Sequence, residues 1–86
     1  MHSINTMTNR LFFYRCIWQP KENRSHASLE YKDRTFYSYD DRIGKVHGNN
    51  ISICDAPATV TTEGHSNMLE QVAKTCGLTV ERRKNV

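Results

Sequence analysis

Cys54, Asp55 and His65 offer a thiol, a carboxylate and an imidazole, the three roles of a nucleophile, an orienting acid and a base. No recognisable nucleophile motif surrounds Cys54, and its apolar neighbours fit equally well a strand cysteine pointing into the core. A second set, His47, Cys54, His65 and Cys76, has the donor types zinc prefers. Structural zinc sites draw their ligands from short pairs, however, and the chain contains neither C-x-x-C nor H-x-x-x-H. Asp40 and Asp41 are adjacent, so in a strand they would face opposite sides and could not share a proton for acid/base work. These residues together lead us to expect no enzyme, no metal and no cofactor.

The densest polar cluster lies in TVTTEGHSNMLEQVAKTCG, residues 59–77. Thr61, Thr62 and His65 at the start of a helix could present hydroxyls, an imidazole and free amides to an anion or phosphate. The plainer reading makes Thr62 the N-cap, puts Glu63 where the helix dipole favours a carboxylate, and leaves His65 at the rim of the core. A single glycine is far from a phosphate-binding loop, so capping is the stronger expectation.

The elements that must hold these groups read as follows. Residues 1–9 carry no periodicity and are expected to be a flexible segment. RLFFYRCIW, residues 10–18, is aromatic and β-branched with both alternating faces apolar, which predicts a central strand ended by Pro20. QPKENRSHAS reads as a surface loop. Leu29 to Tyr31 and Thr35 to Tyr39 read as short strands around a turn at Lys32 to Arg34. Arg42 to Val46 and Ile51 to Cys54 form a predicted hairpin around His47-Gly48-Asn49-Asn50, whose glycine and asparagines tolerate positive φ.

Beyond Pro57, Ala58 to Thr61 is expected to be extended. Met68, Leu69, Val72, Ala73 and Cys76 then lie on one helical stripe, predicting a helix over 63–76 that Gly77 ends. Leu78 to Arg82 alternates and should return as an edge strand before a charged tail at 83–86. The expected fold is therefore one α+β domain over residues 10–82, a mainly antiparallel sheet of about four to six strands packed on one helix in the C-terminal half.

Composition bounds the function classes. The longest apolar run, Leu11 to Trp18, is broken by Arg15 and is far shorter than the roughly 20 residues that span a membrane, and the polar N-terminus does not read as a secretory signal. A cytoplasmic protein with no membrane partner is expected. Three cysteines, an odd and widely spaced set, suggest buried free thiols.

Two kinds of partner remain. A net charge of +3 is modest, yet Arg10 and Arg15, Arg42 and Lys45, and Arg82-Arg83-Lys84, with Tyr14, Tyr37 or Tyr39, could build a stacking platform for nucleic acid. Without a catalytic constellation, binding to a protein is the leading expectation. Its candidate surfaces are the loop Lys21 to Ser28, the hairpin tip with His47 and Asn49, Arg42, and whichever of Tyr31, Tyr37 and Tyr39 lies outside the core. An unpaired edge strand also allows a homodimer.

YSYDDRIGKVHGNNISI followed by TVTTEGHSNMLEQV resembles a recurring module of small bacteriophage-encoded proteins of unknown function. The matching positions are Tyr37-Ser38-Tyr39, Ile43, Gly48-Asn49, Ile51, Ile53, Thr61-Thr62 and His65, within about residues 36–76. The chain departs from that module at Asp40-Asp41 and at Cys54-Asp55-Ala56-Pro57. The resemblance brings no catalytic residue. It implies a phage accessory factor that binds and modulates a host protein.

Overall fold

The computed structural model describes residues 2–55, 59–84 and 86, with residues 2–6 described by their backbone alone. The chain runs α1 (His2–Trp18), β1 (Arg24–His26), β2 (Leu29–Lys32), β3 (Thr35–Ser38), β4 (Asp41–His47), β5 (Asn50–Cys54), α2 (Val60–Thr75) and β6 (Thr79–Arg83). The six strands form one sheet in chain order. β1 to β5 are an antiparallel meander, and α2 carries the chain over to β6, which pairs parallel to β5.

Registered partners share a face, so the pairings Tyr31–Phe36, Phe36–Gly44, Gly44–Ile53 and Ile53–Arg82 define one row across the sheet. That row faces the helices: Phe13 of α1 meets Phe36 edge-on at 5.5 Å, and Gly44 leaves room for Leu69 of α2. Ile43 and Gly44 are both buried because the register shifts at Phe36/Tyr37, a bulge that turns two successive residues inward. Phe12, Phe13, Cys16, Leu29, Tyr31, Phe36, Ile43, Ile51, Ile53, Leu69 and Val72 make up most of the core.

The α+β class, the Gly48-Asn49 hairpin, the C-terminal-half helix and the β6 edge strand agree with the sequence reading. Gly48 has φ +60° at the first central position of a two-residue turn closed by the His47–Asn50 pair.

Four expectations need correction. Residues 10–18 are helical, not a central strand, and the helix extends back to His2, so the sheet is covered by two helices. Phe12, Phe13, Cys16 and Ile17 repeat the i, i+1, i+4, i+5 spacing of a core-facing helix, and burying that stripe outweighed the β propensity of the aromatic residues. The polar loop after Pro20 contains β1, a short edge strand. The cap of α2 is Thr59, whose side chain accepts from the Thr62 N–H at 3.1 Å, so Val60 and Thr61 are helical and Thr62 is a buried first-turn residue. Ala58, expected to be extended, and Pro57 lie outside the described residues.

Candidate functional site

A helix lying on a sheet hides one stripe and normally presents polar residues on the other side. α1 does not. Phe12, Phe13 and Cys16 face the core, yet Met7, Leu11 and Trp18 are 64%, 61% and 71% exposed. Together with the half-buried Tyr14 they are spaced i, i+4, i+7 and i+11, one continuous outer stripe about three turns long. Tyr14, which also packs against the core, and Trp18 have ring centroids 5.9 Å apart.

Beside this stripe a groove of about 890 Å³ opens between α1 and β1. Leu11, Phe12, Tyr14 and Trp18 give it an apolar wall, while Arg15, Arg24, Ser25 and His26 give it a polar one. Among the described residues no carboxylate lines it, although Glu22 pairs with the Arg24 guanidinium on its wall. Arg24 is held by Glu22 at 2.8 Å and by Gln19, while its Nε is buried with no hydrogen-bond partner among the described residues. Tyr31, at the sheet side of this corner, donates its hydroxyl to the Pro20 carbonyl at 2.8 Å and pins the α1–β1 connection.

The residues singled out by sequence fall elsewhere. Tyr31 is fully buried and belongs to the core, not to a contact surface. Tyr37 is half-buried opposite Arg42 on the face of the sheet without helices. Lys32, Lys45 and Arg83 lie on the same face by register, but Glu30 and Glu81 interrupt them and Arg83 is paired with Glu81 at 3.0 Å. Arg42 donates to the Val86 carbonyl at 3.2 Å. Arg82 faces the helices instead, donating to the Glu70 carboxylate at 2.8 Å and to the Cys54 carbonyl at 3.1 Å. Hydrogen bonds from Lys74 and Arg82 hold the Glu70 carboxyl below its ordinary range. His47 and Asn49 are exposed at the hairpin tip. Tyr39 is exposed in the β3–β4 turn and stacks on His65 at 6.5 Å.

Two of the three residues at the start of α2, Thr62 and His65, use their side chains within the fold. Thr61 is exposed, the Thr62 hydroxyl oxygen accepts from that of Thr59 at 3.0 Å, and His65 Nδ1 shares a 2.7 Å hydrogen bond with Ser38 Oγ. Burial lowers the His65 pKa and favours the neutral imidazole. This serine–histidine pair ties β3 to α2, and Ser38 has no exposed surface from which to attack a substrate. Among the described residues no three His, Cys, Asp or Glu side chains gather to hold a metal ion, so His47, Cys54, His65 and Cys76 do not form a cluster.

All three cysteines are free thiols. Burial pushes the Cys16 pKa up to about 12 and raises that of Cys76. Cys54 is buried but lies outside the main core cluster, with Arg83 as its register partner. A thiolate-selective reagent at neutral pH should therefore label the folded chain slowly at every cysteine and quickly only in denaturant. Fast labelling of Cys54 alone, read by peptide mass, would reopen the case for a nucleophile.

No helix of the described residues is long and apolar enough to cross a membrane. In comparisons with known proteins, no family model, no curated protein and no solved structure matches the chain.

Proposed function

We propose that this chain is a small non-enzymatic binding module that grips another protein through the outer stripe of α1 and the groove beside it. The observation that carries the reading is the exposure of Met7, Leu11 and Trp18 on one helix stripe, where a monomer gains nothing from displaying them. Tryptophan and arginine are the side chains most enriched among interface anchors, and Trp18 and Arg15 stand together at the groove. Following the resemblance of residues 36–76, the setting we propose is a phage accessory factor that modulates a host protein in the cytoplasm.

A second reading rests on Tyr37, Arg42, Lys32 and Lys45, which share the face of the sheet without helices and could stack and neutralise a single strand. It is the weaker one, because Arg82 is committed to Glu70 and Arg83 to Glu81. Affinity capture from a host lysate with and without nuclease separates the two. A protein should be retained after nuclease treatment, be lost with Leu11→Asp, and be kept with Arg42→Glu. Oligonucleotides should bind weakly and release as salt rises. Tight oligonucleotide binding at near-physiological salt, abolished by Arg42→Glu, would make the nucleic-acid reading the correct one.

A further inference from the structure

From the same stripe we infer the chemistry of the partner: an amphipathic helix with acidic flanks, docked along α1. The inference rests on the protein-binding reading above and goes beyond it by naming the occupant. Met7, Leu11, Tyr14 and Trp18 are separated by 4, 3 and 4 residues, the a/d alternation of a seam between two helices. An extended peptide would have no use for that period, since its own side chains alternate by two. A helix packs its apolar ridge against it directly.

Charge then selects which helix. In this heptad register Arg10 occupies the g position and Arg15 the e position, one on each side of the seam. α1 contains no Asp or Glu at all. The first 21 residues hold three cations and no acid, while the remainder of the chain carries nine of each sign, so the whole formal charge of +3 sits at this end. Arg24, on the Arg15 side, is already paired with Glu22 and its Nε is buried, so the charge a partner meets along the seam is that of Arg10 and Arg15.

A second copy of the chain is the obvious competitor and fits badly. A parallel pair of α1 helices sets Arg10 against Arg15 of the other copy, and an antiparallel pair sets Arg10 against Arg10 and Arg15 against Arg15. Both arrangements place like charges across the seam with no acid on the helix to relieve them. A partner helix with Glu or Asp at its e and g positions gains an ion pair at each of these places.

The test is a displayed library of helix-forming peptides of about three heptads, apolar at a and d, with Glu, Gln or Lys allowed at e and g, selected on the intact folded chain. The expected result is enrichment of Glu over Lys at the flanking positions. A selected acidic peptide should bind about tenfold or more tighter than its Lys counterpart, weaken with added salt, and lose binding to Leu11→Asp but not to Arg42→Glu. Sedimentation should show a monomer at the concentrations used. Failure to enrich any helix, enrichment of Lys or Gln, or a dimer that Leu11→Asp dissolves would each overturn the inference. If lysate capture still depends on Leu11 in that event, the protein-binding reading stands and only the chemistry assigned to the partner fails.

Discussion

Phe36→Ala should cost about 3 to 5 kcal/mol of stability. The ring is fully buried, 4.7 Å from that of Tyr31 and 5.5 Å from that of Phe13, so its removal empties the space where β2, β3 and α1 meet. A loss of that size is a large share of the roughly 5 to 15 kcal/mol that holds a domain together. Phe13→Ala should cost a similar amount. Because the two rings touch, the double variant should lose measurably less than the sum of the singles. Urea denaturation of the four proteins reads all three values. A Phe36→Ala loss under about 1 kcal/mol, or strict additivity of the pair, would mean that α1 does not pack on β3.

Leu69→Ala is expected to cost about 2 to 5 kcal/mol, since this fully buried side chain carries α2 onto the sheet. Its neighbour Gly44 makes the contact informative. A Cβ added at Gly44 would stand 2.6 Å from Leu69 Cδ2 and 3.4 Å from the Ser52 carbonyl oxygen. The methyl end of a leucine is normally free to turn away, but this one is enclosed, so Gly44→Ala should destabilise by about 1 to 3 kcal/mol. In the Leu69→Ala background most of that penalty should vanish, because the clashing methyl is gone and the new one fills part of the cavity. Equal cost of Gly44→Ala in both backgrounds, measured by thermal or urea unfolding, would show that Leu69 does not occupy that space.

These two contacts also show what the sequence made legible. The Leu69 side was readable: Met68, Leu69, Val72, Ala73 and Cys76 spell out a helical stripe, and Gly77 at φ +86° follows its end. The hairpin at Gly48 was equally plain. Two other two-residue turns, Asp33-Arg34 and Tyr39-Asp40, hold positive φ at both central residues without a glycine, so composition gave little warning of their geometry. The Ala27-Ser28 turn after β1 is similar, with φ +53° at Ala27. β1 itself is three residues of polar side chains, paired only because β2 offers it an edge.

The candidate site was missed for a physical reason. Met7 falls in the segment expected to be flexible and Leu11, Tyr14 and Trp18 in the expected strand, so their common stripe has no element on which to appear. Apolar side chains on two faces of RLFFYRCIW are what a buried strand shows, and they are also what a helix shows when one stripe serves the core and another a partner. The period of Phe12, Phe13, Cys16 and Ile17 could have separated the two. By contrast, Tyr37, Tyr39, Arg42, His47 and Asn49 were placed on exposed or half-buried positions, yet they are spread over the sheet face, one turn and the hairpin tip rather than gathered into one patch.

The most direct measurement compares the affinity of a protein captured by the wild-type chain for three variants: Leu11→Asp and Trp18→Ala on the outer stripe of α1, and Arg42→Glu on the opposite face of the sheet. All three side chains are exposed, so unfolding free energies should change by no more than about 1 kcal/mol, and urea denaturation of each variant separates any such change from the change in affinity. Anchors in an interface typically cost 2 kcal/mol or more when removed, so Leu11→Asp and Trp18→Ala should each weaken binding about 30-fold or more, with Arg42→Glu within about twofold of wild type. The reverse pattern, with full affinity in both stripe variants and loss in Arg42→Glu, would contradict the assignment of α1 as the binding surface.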